Sequence, residues 1–303
     1  MLEAITVFLG RNLHVRGVGR LMRMVWPCKP NSTRWIQGVR SRSDGMAIEV
    51  DTREVIDWEE YFNGGYEPHM AHLFRLLIRA GGVAIDVGAN VGAHTLTLAH
   101  LVGPSGRVLA FEPNPVVRHK LVANLNLNGL ENVSIFDTAL GSMNHKLMLR
   151  VPKKDSPEAS NPGLASIWAL DSPHDLVEVI VRPFDDVVEE LSLQHIDLVK
   201  IDVQGFEEPV LRGMRSSLSR FSPIVVFEYE DWAWSKSNSQ WHLVKSLFDS
   251  LDYVLWRIGT GRNGLSISPI LENIKAITHM EVIALPKIDT RISALRVEKT
   301  AAL

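Results

Sequence analysis

The sequence predicts an α/β fold, a mostly parallel sheet with helices on both faces. Three observations carry that reading. Apolar runs at residues 83–87, 108–111 and 133–136 each stop at a glycine or an acid (Gly88, Glu112, Asp137). Between them, apolar residues recur at helical spacing: Val91, Leu98, Leu101 and Val102, then Val117, Leu121 and Leu125. The rhythm resumes later, with strands read at 196–203, 223–230, 253–258 and 280–285. Runs this short, separated by helices, read as parallel strands buried on both faces.

Taken in order, the chain opens with Leu2, Ile5, Leu9 and Leu13 at helical spacing. Gly17-Val18-Gly19 interrupts, Leu21 and Val25 resume, and Pro27 and Pro30 end the segment. Residues 1–45 hold eight Lys/Arg and two acids, a net +6, so the rest of the chain carries −9 of the overall −3. The favoured reading is a helical cap packed on the main domain with its arginines in water; the alternative is a membrane-surface or partner helix. The chain divides into a basic N-terminal helical arm (1–45) and a main domain (46–303) with an insertion at 141–182.

Residues 46–50 read as a strand, and Trp58, Tyr61, Gly64, Gly65 and Tyr66 as an aromatic, glycine-rich turn. Met70, Leu73 and Leu77 mark a helix before the first central strand. Gly103-Pro104-Ser105-Gly106 is a turn, and Asn128-Gly129 closes the second helix. The insertion holds Pro152, Pro157, Pro162 and Pro173 with two alternating segments, Leu147, Leu149 and Val151, then 176–181. It reads as a strand pair projecting from the sheet, either covering the site or forming an edge extension with no role in binding. Phe206, Val210, Met214 and Leu218 give one helix face; Trp241, Val244 and Phe248 give another.

Composition narrows the function. With 46% hydrophobic and 22% charged residues among 303, the chain is globular, and a net charge of −3 excludes a whole-chain basic nucleic-acid binder. The single cysteine, Cys28, excludes an intrachain disulfide and any Cys-based metal cluster within one chain, and fits a cytoplasmic protein. No stretch reaches the roughly 18 apolar residues of a membrane span. The N-terminus lacks the basic-then-apolar order of a signal peptide.

The chemistry concentrates at strand ends. Ile85-Asp86-Val87-Gly88-Ala89-Asn90-Val91-Gly92 is a buried strand that ends in an acid and opens a helix through glycines. The glycines permit close backbone approach to a ligand. Their spacing is neither G-x-G-x-x-G nor a phosphate loop. An acid before the first glycine repels a pyrophosphate and suits a cationic ligand end such as an ammonium. Glu112, followed by Pro113-Asn114, ends the second strand, where a carboxylate accepts both hydroxyls of a ribose. Asp137 ends the third, within reach of an adenine amino group or serving only as a turn residue. A nucleoside with an amino-acid tail fits this set, and S-adenosylmethionine has that shape.

In the fourth strand, Lys200 and Asp202 share one face. A lysine in an apolar central strand requires a partner or a task. With Glu228 from the fifth strand they form a candidate catalytic cluster, or a structural salt bridge between strands. Asp202 or Glu228 would take a proton from an acceptor hydroxyl, with Lys200 tuning the pair. His69, His72 and His94 are the candidate histidine bases, and Trp232 and Trp234 candidate stacking surfaces for the acceptor. No metal ligands stand at diagnostic spacing.

In one consistent order over roughly residues 45 to 230, IDVGANVGAHTLTLA, GRVLAFEPNP, NLNLNGLENV, LVKIDVQGFEEPVLRGM and SPIVVFE resemble the FkbM-type methyltransferases. The resemblance implies a Rossmann-like class I methyltransferase with a seven-stranded, mostly parallel sheet and a reversed terminal strand. It implies S-adenosylmethionine as cofactor, with Asp86, Gly88, Ala89, Asn90 and Gly92 at its methionine end. Glu112, Pro113 and Asn114 would lie at the ribose, Asp137 to Ala139 at the adenine, and Asp202 at the methyl-transfer region. The acceptor implied is a hydroxyl on a sugar, glycolipid or polyketide-type small molecule, with no nucleic-acid partner. The sequence departs from the family at Pro183-Phe184, where Thr-Leu is usual before the aspartate, and at Gln204, where Glu is common. Two other classes remain: a nucleotide-dependent oxidoreductase or epimerase, and a non-catalytic module bound to a membrane or partner through the basic arm.

Overall fold

The computed structural model describes residues 2–12, 18–29, 31–153, 156, 160, 165, 173–261, 264–270, 274, 277–289, 291 and 295. Leu13, Arg16, Gly17, Pro30, Pro157 and Pro162 lie outside the described residues.

The centre is an eight-stranded sheet. Five strands run parallel: β3 (Val83–Val87), β4 (Arg107–Phe111), β5 (Val133–Phe136), β9 (Leu198–Ile201) and β10 (Ile224–Glu230). Strand β13 (His279–Pro286) lies antiparallel between β10 and β11 (Tyr253–Gly261). The order is β5-β4-β3-β9-β10-β13-β11-β12. The eighth strand, β12 (Gly264–Pro269), pairs with β11 and falls in the segment outside the family resemblance.

The two faces of the sheet bury separate cores. Ile85, Val87, Leu109, Val199, Ile201 and Phe227 point to one side, Ala84, Val108, Leu198, Ile224 and Val226 to the other. Every residue of β3 and β9 is buried, which explains their unbroken apolar runs. From β3 the chain winds outward through β4 and β5, and the sheet continues in the opposite direction through β9 and β10. The β3–β9 boundary is therefore the topological switch point, where open α/β sheets bind ligands at the strands' carboxyl ends.

Flanking the first turn are α5 (Ala93–Val102) and α6 (Pro115–Leu127). The insertion is a hairpin of β7 (His145–Pro152) and β8 (His174–Arg182), joined by the short β6 (Ala139–Leu140). Next come α7 (Phe184–Leu191), then α8 (Glu207–Arg212) and α9 (Arg215–Phe221). The single helix face expected over Phe206–Leu218 is thus broken. A Cβ on Gly213 would lie 1.9 Å from the Gly141 carbonyl oxygen, so the chain bends there against the insertion. Asp185 accepts the Ser216 and Ser217 amides (2.9 and 2.8 Å) and so caps α9, which gives the aspartate after Pro183-Phe184 a structural task.

The N-terminal region differs from expectation in two places. The segment read as an aromatic turn is helix α3 (Val55–Asn63), ended by Gly64 at φ 76°. Trp58, Tyr61 and Phe62 stand at i, i+3 and i+4 and are all buried, a helical period that the following glycines disguise. The arm is α1 (Leu2–Asn12), α2 (Val18–Val25) and β1 (Gln37–Ser41), which pairs with β2 (Ala47–Asp51). Residue 45 falls in the turn of that hairpin. Its arginines do not all face water, as expected of a cap. Arg42 is buried, donating to Glu60 (2.7 Å), the Ala93 carbonyl (2.9 Å) and Thr97 (2.8 Å). Met22 and Trp26 join Trp58, Phe62 and Leu96 in one cluster, and Trp58 Nε1 donates to the Trp26 carbonyl at 2.9 Å.

Candidate active site

A cleft opens at the carboxyl ends of β3, β4 and β9, with an empty volume of about 1200 Å³ including its mouth. That is ample for a nucleoside-sized ligand. Its floor is the turn after β3. The Gly88 and Ala89 amides both donate to the Phe111 carbonyl at 3.0 Å, folding the turn over the end of β4. Gly88 has φ 78°, and a Cβ there would sit 1.9 Å from the Asp202 carbonyl oxygen. Only glycine lets these two loops meet. Asn90, at φ 52°, lines the cleft with its Oδ1 buried and, among the described residues, without a hydrogen-bond partner.

Glu112 closes one side. Its Oε2 accepts the Asn90 amide and its Oε1 the Asn114 amide, both at 2.8 Å. Asn114 in turn caps α6 through the Val116 amide at 3.0 Å. Burial lifts the Glu112 carboxyl to about 7, against the lowering effect of the two amides. Thr138, which also lines the cleft, has a buried Oγ1 with no partner among the described residues. Leu147, Leu149 and Val179 from the insertion and Val55 and Ile56 from α3 complete the wall.

Lys200 ties the strands together. It lies opposite Asp86 in the β3–β9 register, with Nζ 3.3 Å from Asp86 Oδ1 and 3.6 Å from Asp202 Oδ2, and donates to the Gly88 carbonyl at 3.0 Å. Burial alone would lower its pKa. The carboxylates of Asp86, Asp202 and Glu67 outweigh it, so the net shift is upward and the ammonium stays charged. Asp86 also accepts the Thr95 hydroxyl at 2.6 Å.

A smaller cavity, of about 330 Å³, adjoins the cleft. His94, Lys200 and Asp202 line both, and Glu67, Glu228 and Glu281 line the smaller one. His94 Nε2 stands 3.0 Å from Glu67. Burial would raise Glu67; its hydrogen bond and proximity to His94 prevail and bring it down to about 2. Glu228 is pushed well above the usual carboxylate range, by burial first and then by Asp202, Glu230, Glu207 and Glu67. It contacts His279 at 2.7 Å.

The structure thus brings Gly88, Ala89, Asn90, Glu112, Pro113, Asn114, Ala139, Lys200 and Asp202 to one cleft wall. Asp86 and Gly92 sit behind that lining: Asp86 is fully buried against Lys200, and Gly92, at φ 93°, packs against Leu121. Asp137 is exposed and outside the lining, with its neighbours Thr138 and Ala139 inside it. Glu228 belongs to the smaller cavity. His69 is held by Glu281 at 2.8 Å, and His72 is exposed. Trp234 is buried against Tyr229 and Trp241, whereas Trp232 is 47% exposed. Tyr66 and Glu67 were not foreseen as site residues. Only the left-handed backbone of Glu67 (φ 45°) distinguishes it, and φ is invisible in sequence.

The cleft residues fit S-adenosylmethionine. The orphaned Asn90 and Thr138 oxygens and the Glu112 carboxylate face the cleft, and nothing there is arranged for a pyrophosphate. The strand order, with an antiparallel strand lodged beside the fifth parallel one, is that of class I methyltransferases. A family model described as "Methyltransferase FkbM domain" matches residues 86–255, more than half of the chain. The chain belongs to this family and is an S-adenosylmethionine-dependent methyltransferase. It is similar to the 2-O-methyltransferase NoeI of Sinorhizobium fredii, 25% identical over 216 residues that cover 63% of this chain and 82% of that protein. It is 30% identical over 162 residues to the 31-O-demethyl-FK506 methyltransferase FkbM of Streptomyces tacrolimicus, covering 46% and 62%. It is 28% identical over 141 residues to the hexuronic acid methyltransferase AglP of Haloferax volcanii, covering 46% and 53%. The chain therefore spans less than two thirds of the last two. Among the described residues, no helix is long and apolar enough to cross a membrane.

Proposed function

We propose that this enzyme methylates a hydroxyl group on a sugar, glycolipid or polyketide-type small molecule. The observation that carries this reading is the wall shared by the two cavities, formed by His94, Lys200 and Asp202. One side of that wall suits the cofactor; the other presents carboxylates to a hydroxyl proton. The relatives named for 2-O-methylation, for a 31-O position and for a hexuronic acid support a hydroxyl acceptor. The single cysteine fits a cytoplasmic site of action.

When bound, S-adenosylmethionine supplies an electrophilic methyl group on a sulfonium centre. Glu112 binds the ribose hydroxyls, the Gly88–Asn90 turn the methionine end, and Thr138 and Ala139 border the adenine. Asp202 accepts the acceptor's proton, and Lys200 holds that carboxylate in place. Glu228 lines the smaller cavity, where it borders the acceptor. The apolar insertion residues exclude water from the transfer. A second proton acceptor is favoured by one observation: His94, held by Glu67, borders both cavities.

The test is titration calorimetry with S-adenosylmethionine and S-adenosylhomocysteine, on the wild type and on Glu112→Ala. Micromolar binding that the variant loses is expected; absence of binding by well-folded wild type would overturn the reading. On an acceptor found by screening sugar and polyketide alcohols, Asp202→Asn should turn over about 10²–10⁴-fold more slowly with cofactor binding intact. Unchanged turnover would remove Asp202 from the role.

A further inference from the structure

Helix α1 is packed the wrong way round for a helix of a soluble domain. Of its large apolar side chains, Val7 packs against the core. Thr6 and Gly10 are buried, and a Cβ on Gly10 would lie 2.4 Å from the Phe62 carbonyl oxygen. Arg11 donates to the carbonyls of Ser41 (3.2 Å) and Tyr61 (3.1 Å), and Glu3 accepts from the Tyr61 hydroxyl. The opposite face carries Leu2, Ile5 and Phe8, which are 49%, 49% and 65% exposed. The adjoining α2 packs Met22 and Val25 against the core yet leaves Leu21 and Met24 59% and 75% exposed. An amphipathic helix ordinarily turns its apolar stripe to the core, and contiguous exposed apolar side chains mark an interaction surface.

The charge around this surface identifies what covers it. Arg20 and Lys29 are exposed and, among the described residues, make no ion pair. The first 45 residues carry +6 against −9 on the remainder. A negatively charged surface attracts this end of the molecule and repels the rest, so the same field that binds the enzyme also orients it.

We propose that α1 and α2 dock the enzyme on an anionic lipid bilayer. Leu2, Ile5, Phe8, Leu21 and Met24 enter the headgroup boundary, and Arg20 and Lys29 meet the phosphates. Helix α1 rests on α3, whose first residues, Val55 and Ile56, wall the cofactor cleft, so docking sets the cleft one helix away from the lipid.

The test is co-sedimentation of the full chain with vesicles of phosphatidylcholine alone and of phosphatidylcholine mixed with phosphatidylglycerol, at low and high ionic strength. Binding to the mixed vesicles should be at least about tenfold tighter and should weaken with salt. Ile5→Asp/Phe8→Asp and Arg20→Glu/Lys29→Glu should each lower it by about tenfold or more, with S-adenosylmethionine affinity unchanged by calorimetry. The second pair alters only exposed charges and keeps the test valid if the first disturbs folding. Equal binding to both vesicle types, or variants that bind like wild type, would overturn the proposal. So would light scattering that shows a wild-type dimer dissolved by Ile5→Asp/Phe8→Asp, because a second copy would then cover the stripe.

Discussion

Lys200 and Asp86 face each other across the β3–β9 pair, ammonium to carboxylate at 3.3 Å, both almost wholly removed from water. The two residues come from segments more than a hundred positions apart and join the halves of the sheet at its switch point.

Removing one partner of this pair leaves a buried charge. Lys200→Met should cost about 3–5 kcal/mol of unfolding free energy. Asp86→Asn/Lys200→Met should be less destabilised than the sum of the single variants, and denaturant melts of the cycle measure the coupling.

Glu112 gives a pH signature. Its carboxyl is raised from 4.5 to about 7 in the folded protein. The folded state therefore holds a proton that the unfolded chain releases first, and stability falls as pH rises from about 4.5 to about 7, then levels. The loss approaches about 3 kcal/mol at 1.4 kcal/mol per pH unit. Glu112→Gln should flatten this slope in melts recorded across that range. Ribose hydroxyls favour the ionised carboxylate, so wild-type cofactor affinity should rise as pH rises through 7, and the Gln variant should lose that dependence.

The two tryptophans after β10 should separate cleanly. Trp234→Ala empties a buried aromatic cluster and should cost about 3–5 kcal/mol. Trp232→Ala should change stability by less than about 0.5 kcal/mol, as exposed positions do. A raised acceptor KM in Trp232→Ala, with kcat retained, would identify it as a stacking surface.

Breaking the His94–Glu67 contact distinguishes the two proton acceptors. If Asp202 alone accepts the proton, Glu67→Gln should leave the acid limb of the rate–pH profile in place. A shift of that limb by the Gln variant would assign the step to His94.

Much of this was legible in the sequence because buried parallel strands write themselves as apolar runs stopped by a functional residue. Gly88 and Glu112 are such stops and line the cleft; Asp137, the third, is exposed outside it. Asp202 as a neighbour of Lys200 was legible from the period of two; its cross-strand partner Asp86 was not, since it depends on strand register. Nor was the face that Leu2 and Ile5 present: periodicity shows that a helix has two sides but not which one is packed. Helix α3 was hidden because Gly64 and Gly65 follow an aromatic period closely enough to resemble one turn. Strand β12 went unread although Leu265 and Ile267 alternate with Ser266 and Ser268, because so short an alternation carries little weight by itself.

The turn after β3 is fastened in three ways: by the Phe111 carbonyl, by the backbone of Asp202 against Gly88, and by the Lys200 ammonium. Its shape is set while the chain folds, so little ordering is left for the moment a ligand arrives. Recognition at that end resembles a key entering a cut lock. The inserted hairpin shares that cleft through Leu147, Leu149 and Val179, so its apolar side chains close over a floor already in place.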